Sequence, residues 1–491
     1  MSTALAAAQP SVAADAAETP SPAIRGVYVS ASTAGDPTAF GRILEMIDRT
    51  ELNAVVVDVK TDWGNISFQT DEPLVKEVGA THAYIPDIGS FLETLRVHRV
   101  YRIARVVAFK DVPAVAAHPE WGLPDVNGGP WKDSNGMTWL NPRNKGAWEY
   151  LVAVGRAAAK AGFDEVQYDY VRFPTDGDLD RIVYPSDGRS KQEIIAGFLA
   201  YARQELHKEG IQVSADVFGL VTSFSDDMGI GQHLEDVAGA VDYVSPMLYP
   251  SHYTRGNLGI PNPNAAPYQT VYRSLQDARG RLAGAGLTDR VDMRAWLQDF
   301  SMGYHYGPAE VSAEIQAVRD AGYTQWLLWN AANEYTEAAL APKNLAADDP
   351  FALPAREVGA TVTVALNGQV ITAFDPQVAP FLSRISGRTL VPLRTLTEAL
   401  GAQVEWEGES RTAIVRYNGH TVRIPIGSRT ITVDGTSLQL DQGATLWHSR
   451  TMVPVRFVTQ ALGATVTWDG TAGRVDVNLP GAVCAPGYCQ N

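Results

Sequence analysis

From residue 24 to about 345, short apolar runs with an alternation of two trade places with longer stretches of helical period. The β-type runs cover 26–30, 54–60, 102–110, 165–171, 212–218, 242–249, 290–298 and 324–330, and helical stretches cover 40–50, 88–98, 145–161, 191–208, 268–285 and 309–321. Glycine follows several of the helical stretches, at Gly162, Gly210 and Gly322, where a chain leaving a helix adopts a left-handed conformation. Eight strand–helix units predict an α/β fold, a (β/α)8 TIM barrel over 24–345, whose usual length is about 250 residues plus insertions. A doubly wound open sheet is the alternative, but no Gly-x-Gly-x-x-Gly follows the first strand to support nucleotide binding.

Past a linker at 346–358 the texture changes. "RTLVPLR" at 388–394 returns as "RTMVPVR" at 450–456, and "ALGAQVEW" at 399–406 returns as "ALGATVTW" at 461–468. Each unit reads strand, proline, short amphipathic helix, glycine stop, then a strand ending in Trp. Two such units are too few for a solenoid, so 359–480 is expected to form one small α+β repeat domain. Residues 481–491 are a tail. Residues 1–23, rich in small side chains, resemble the end of a signal peptide without its basic start and apolar core, or a disordered leader.

In a barrel, chemistry sits at the C-terminal strand ends. Along "EVQYDYVRFP" (165–174), Glu165, Gln167 and Asp169 share one face and Val166, Tyr168 and Tyr170 the other. An unpaired carboxylate in an ordinary core is costly, so Asp169 needs either a partner or a wet cavity. On the fifth strand Ser214 and Asp216 share a face in the same way; the second offers Asp58 and Lys60, and the seventh Arg294, Trp296 and Gln298. Asp169 and Asp216 on neighbouring strand tips predict the paired carboxylates of a glycosidase, at the roughly 5 Å separation of retaining enzymes. Asp169 is the candidate nucleophile and Asp216 the acid/base, with Asp58, Lys60, Arg294 and Gln298 orienting substrate. The competing reading pairs Asp169 with Arg172 or Arg294 and leaves Asp216 capping a turn.

Trp63, Tyr170, Tyr249, Trp296 and Trp329 join Arg172 and His252 as candidate substrate contacts, since aromatic faces stack on sugar rings. Trp131, Trp139, Tyr253 and Tyr304 also lie at or after strand ends, and about half of all these aromatics are expected to be packing instead. The insert 111–143, with three tryptophans, is a candidate binding loop.

A net charge of −15 and no basic cluster argue against a nucleic-acid partner, and no apolar run approaches the roughly 20 residues of a membrane helix. The nine histidines lack zinc-site spacing, and there is no Gly-x-Ser-x-Gly elbow. Neither a metal nor a cofactor is expected; Asp176, Asp178 and Asp180 read as a solvated acidic loop rather than a Ca²⁺ site. The two cysteines, Cys484 and Cys489, flank a Pro-Gly turn that favours a disulfide over two free thiols, and the lack of others suits an exported bacterial-type protein.

The blocks "RGVYVS" (25–30), "NAVVVDVK" (53–60), "WLNP" (139–142), "EVQYDYVRFP" (165–174) and "VSPMLYPSHY" (244–253) resemble the bacterial glycoside hydrolase family of the DUF4015 type. The resemblance covers essentially all of 24–345 and implies a TIM barrel related to amylase-like and peptidoglycan-active glycosidases. By that analogy Asp169 stands at the strand-four nucleophile, while Asp216 occupies the place where amylases usually carry Glu. The repeat at 359–480 resembles the copper amine oxidase N-terminal-like, or stalk, domain; with only His420 and His448 and no cysteine in it, copper is not implied. That resemblance implies a secreted or cell-envelope protein acting on a polysaccharide and anchored or spaced by its C-terminal domain. A non-catalytic carbohydrate-binding or scaffolding barrel is the alternative.

Overall fold

The structure, a computed structural model, describes residues 23–343 apart from 186, and 350–490 apart from 352, 354–356, 385, 409 and 441. The leader up to residue 22 and most of the linker lie outside them.

Eight parallel strand positions close on themselves. They are β1 Arg25–Val29, β2 Ala54–Lys60, β3 Tyr101–Val107, β4 Glu165–Asp169, β5 Gln212–Phe218, β6 Tyr243–Met247, β7 in two pieces at Asp292–Met293 and Ala295–Gln298, and β8 Trp326–Trp329. Each pairs with the next in sequence, and β8 returns to β1 through Gly26 beside Leu327. This is the (β/α)8 barrel, and the strands fall within a few residues of the apolar runs.

Helices α1 Pro37–Arg49, α2 Ile88–Val97, α3 Lys145–Ala161, α4 Lys191–His207, α5 Leu234–Ala240, α6 Pro267–Gly284 and α7 Pro308–Asp320 follow the first seven strands, and a short 3-10 turn, Glu337–Ala339, follows the eighth. The sequence sets their ends. Asp36 caps α1 by accepting from the Thr38 and Ala39 amides, Ser190 and Glu193 form a capping box on α4, and Gly162 ends α3 at φ 115°. The outward face of β4 packs on this ring: Tyr168 lies edge-on to Phe198 of α4 and donates to the Leu151 carbonyl of α3. Glu165, Gln167 and Asp169 therefore turn into the barrel.

The barrel floor is polar and closed. Glu165 and Arg294 are fully buried and ion-paired there, and Ser214 donates to Glu165. Burial pushes the Glu165 carboxyl up, against the pull of Arg294. Gln167 donates to Ser245 in the same interior.

The C-terminal part holds three five-stranded sheets among its described residues. Its elements include β9 Thr363–Leu366, β10 Gln369–Ile371, β11 Thr389–Pro392, β12 Gln403–Glu407, β13 Thr412–Tyr417, β14 Arg450–Pro454, β15 Thr465–Asp469, β16 Arg474–Asn478 and β17 Cys489–Gln490, with short helices Leu393–Ala399 and Phe457–Leu462. Cys484 and Cys489 form a disulfide, and β17 pairs with β10, so the tail is tied into a sheet. This part contacts the N-terminal end of the barrel: Arg102 donates to the Gly427 carbonyl, Arg96 to those of Ser410 and Ile426, and Phe351 lies against the guanidinium groups of Arg102 and Arg411. The opposite, C-terminal mouth stays open.

Removing one partner of a buried ion pair strands the other charge. Arg294→Met is therefore expected to lower unfolding stability by about 3–5 kcal/mol in denaturant titration. The double variant with Glu165→Gln should recover part of that loss. Additive losses would show that the pair is not coupled.

Candidate active site

The open mouth holds a cavity of about 420 Å³ lined by residues from β3 to β8, including Arg105, Asp169, Asp216, Met247, Trp296 and Trp329. β4 and β5 run in register with Tyr168 beside Ala215, so the next residues, Asp169 and Asp216, are neighbours on adjacent strand tips, about 4.8 Å apart at the backbone. Both side chains reach the same cavity.

Their surroundings differ. Asp169 takes two hydrogen bonds from Arg105 on Oδ2, from Nε at 2.9 Å and Nη2 at 2.6 Å, while its Oδ1 accepts from the Tyr170 amide at 2.6 Å. Asp216 has one neutral donor, Trp296 Nε1 at 2.8 Å. Burial raises the Asp216 carboxyl well above the usual carboxylate range, and the nearby charge of Asp169 raises it further; the Trp296 hydrogen bond and Arg105 only partly oppose this. One carboxylate is thus ion-paired and the other favours its proton.

Arg105 is the hub of this mouth, and the sequence reading did not single it out. Its Nη1 donates to Asp58 Oδ1 at 2.7 Å and its Nη2 to Asp62 Oδ1 at 2.9 Å, besides the two bonds to Asp169. The register explains how one side chain serves strands on both sides: Arg105 lies beside Asp58 on β2 and Gln167 on β4, one pleat below Asp169. Tyr28 completes the cluster by donating to Asp58 Oδ2 at 2.6 Å and stacking on Trp329, with ring centroids 4.1 Å apart. An arginine in the middle of "YRIARVV" carries the same signal as Asp169, a charge inside an apolar strand.

Of the remaining sequence candidates, Tyr170, Arg172, Tyr249, His252, Trp296 and Trp329 line the cavity. Tyr170 holds φ at +50°, a left-handed conformation rare for a bulky residue and concentrated at functional sites. Arg172 does not pair with Asp169; its guanidinium lies 5.1 Å from the Trp139 ring centroid, 5.2 Å from that of Tyr170 and 4.9 Å from that of Phe218. Burial lowers the His252 pKa, favouring the neutral imidazole. Tyr253, one of the strand-end aromatics, and Phe218, not singled out, also reach the cavity.

Four candidates lie elsewhere. Lys60 is fully buried, bonded at 2.8 Å to Asp111 and to the carbonyls of Val107 and Lys110, so it braces the loop after β3 instead of meeting substrate. Its strand carries a register shift between Asp58 and Lys60, which breaks the alternation that placed them on one face. Arg294 is sealed in the floor with Glu165. Gln298 is buried, accepting from the Ser251 amide and donating to the Phe300 carbonyl, and so positions the β6 loop. Trp63 is half exposed on a shallower hollow shared with Asp58, Asp62 and Tyr84 beside the main cavity.

In the 111–143 insert, Trp131 and Trp139 are buried, and Trp139 Nε1 donates to Asp133. The insert supports the Tyr170–Arg172 wall from behind and does not offer its own tryptophans to the cavity. No helix among the described residues is long and apolar enough to cross a membrane.

A search of curated proteins finds no match. Among solved structures, the chain resembles a hypothetical protein from Ruminiclostridium thermocellum ATCC 27405, at 35% identity over 41% of this chain and 98% of that one, with a TM-score of 0.37. It also resembles the PgaB (BpsB) glycoside hydrolase domain from Bordetella bronchiseptica, at 15% identity over 66% and 100%, TM-score 0.48. A third is the spore cortex-lytic enzyme SleL of Bacillus megaterium QM B1551, at 11% identity over 68% and 75%, TM-score 0.40. Residues 365–477 match the family described as "Copper amine oxidase N-terminal domain". Residues 26–335, more than half of the chain, match the DUF4015 family, described as "Putative glycosyl hydrolase domain", and the protein belongs to that family.

Proposed function

We propose that the barrel hydrolyses a polysaccharide by a two-carboxylate, retaining mechanism, with Asp169 as nucleophile and Asp216 as acid/base. The observation that carries this reading is the contrast between two neighbouring aspartates in one cavity: one ion-paired to Arg105, the other buried, without a cation and held toward its neutral form. Such divergent environments assign acid and base between like residues.

In this reading Asp216 gives its proton to the glycosidic oxygen as that bond breaks. Asp169 attacks the anomeric carbon and forms a glycosyl-enzyme. Water, deprotonated by the Asp216 carboxylate, then releases the sugar and restores both groups. Trp296, Trp329 and Tyr249 supply faces for the sugar ring, and Trp63 stands where a neighbouring sugar would leave the cavity. The disulfide fits an oxidising compartment and supports a secreted or cell-envelope location. Attachment to the cell wall through the C-terminal domain belongs to the same proposal.

Reducing-sugar release from a panel of α-glucans, galactosaminoglycans and peptidoglycan glycan should be lost in Asp169→Asn. Glycan retention by both proteins without release by either would instead make the barrel a binding module. Asp216→Asn should cost about 10²–10⁴-fold on natural leaving groups and far less on aryl glycosides with activated ones. Equal losses on both would remove Asp216 as the acid.

Because the acid must carry its proton, kcat/KM should hold below the raised Asp216 pKa and fall as pH rises through it. Arg105→Met removes a charge that holds Asp216 down, so this limb should move to higher pH while activity falls. Arg105→Lys keeps the charge but not the fork that spans three carboxylates, and should rescue poorly. An unmoved limb in Arg105→Met would show that the guanidinium does not tune the site.

A further inference from the structure

The turn that follows β2 is built to hold one ring still. Over residues 61–65 the chain reverses, with the Gly64 amide donating to the Thr61 carbonyl at 2.9 Å and the Thr61 amide to the Asn65 carbonyl at 3.0 Å. Thr61 Oγ1 accepts from the Asn65 amide at 3.2 Å, and the Trp63 carbonyl accepts from the Val112 amide, in the loop after β3, at 3.2 Å. Gly64 sits at φ 101° with no room for a side chain: a Cβ there would stand 2.6 Å from Asp111 Oδ1 and 2.8 Å from Pro113 Cδ. Asp111 is itself held by the buried Lys60 at 2.8 Å. The buried ion pair is therefore the base on which the turn rests.

Trp63 projects from this turn, 52% exposed, onto a shallow hollow of about 530 Å³. An exposed indole by itself assigns nothing. This one is clamped to the neighbouring loop, and a group ordered before binding loses little freedom on binding. The hollow also continues the cavity of Asp169 and Asp216, because Asp62, the residue before Trp63, lines both. Asn65 and Tyr84 stand beside the indole, an amide and a hydroxyl of the kind that orients sugar hydroxyls below a stacked ring.

The charge of the hollow narrows what it takes. Its described lining residues include Asp58 and Asp62 and no Lys, Arg or His. Both carboxylates bond to Arg105, so a uronate seated there would meet like charges without a cation of its own.

We propose that Trp63 is a distal sugar subsite that sets the substrate class of the barrel: a glycan without acid groups, long enough to run from Asp169 and Asp216 past Asp62 onto the indole. The assignment rests on the glycosidase reading of the cavity, which fixes where along the chain the cut falls. Short glycosides that fill the cavity alone forgo the stacking, so affinity rises with chain length. Trp63 is thereby a specificity-determining residue and not a catalytic one.

The test is calorimetric titration of the full-length chain carrying Asp169→Asn with maltohexaose, N-acetylchitohexaose and hexagalacturonate, and with maltose and N-acetylchitobiose. One of the two uncharged hexamers is expected to bind, and hexagalacturonate is not. Trp63→Ala should weaken that hexamer about tenfold, leave its dimer unchanged and keep the circular dichroism of the parent. Gly64→Ala, which displaces the turn and retains the indole, should reproduce the loss. An unchanged hexamer, an equal loss on the dimer, tighter binding of hexagalacturonate, or no binding of any hexamer would each overturn the proposal. Cleavage is read separately, as reducing-sugar release from the same hexamers with Asp169 intact. No release beside Trp63-dependent binding ends the hydrolase reading and keeps the subsite, whereas release beside binding indifferent to Trp63 ends the subsite alone.

Discussion

A single guanidinium, that of Arg105, sets the charge balance of the barrel mouth. It bonds Asp58, Asp62 and Asp169, of which Asp58 and Asp169 are buried. Buried carboxylates without a cation are expensive, so the three-way bridge is what lets the strand tips carry acidic residues at all. It also creates the difference between the two aspartates of the proposed chemistry. Asp169 lies within the fork's reach and Asp216, one strand further on, does not; there an indole N–H takes the fork's place, and a neutral donor does little to offset burial. Burial and the neighbouring Asp169 charge raise the Asp216 carboxyl, and the indole N–H and the more distant Arg105 only partly oppose them.

The barrel holds two kinds of internal charge. Glu165 with Arg294 and Lys60 with Asp111 are fully buried pairs, closed to solvent and matched one to one. The Arg105 cluster is unequal, three acids to one base, and opens to the cavity, where a substrate or a proton can change its balance. Stability and chemistry thus use separate sets of charges in the same barrel: Glu165 with Arg294 in the floor, Lys60 with Asp111 under the loop after β3, and the Arg105 cluster at the open mouth. The C-terminal part contacts the floor end through Arg96 and Arg102, which leaves the unequal cluster facing solvent.

This division is what the sequence conveyed least well. Alternation along a strand tells which face a residue takes, and Asp169, Asp216 and Trp296, read that way, line one cavity at one end of the barrel together with Trp329. It does not tell how far along the axis a long side chain travels. Arg294 shares a face with Trp296 yet turns to the floor, while Arg105, below the rim in register, extends up to Asp169. Lys60 failed for another reason: the register shift after Asp58 rotates it out of step, and a bulge leaves no mark in "AVVVDVK". The strands themselves were legible because eight apolar runs of similar length admit few arrangements, and the tail's pairing was not, because β17 is two residues of an edge strand with no period to read.

Tryptophan poses the same problem from the other side, because one residue type serves packing and recognition alike. Trp131 and Trp139 are sealed behind the cavity wall, Trp296 and Trp329 line the cavity, and Trp406 and Trp468 stand half in solvent. Nothing in their local sequence separates the first two from the rest. Repetition does what local sequence cannot. A lone exposed indole can be an accident of a surface, but two at equivalent places about a dyad, each with the same cross-strand neighbour position and a glycine at its N–H edge, answer to one constraint applied twice. An exposed ring contributes little to a core, so the dyad, where β11 pairs antiparallel with β14, and not burial, is what these two indoles have in common.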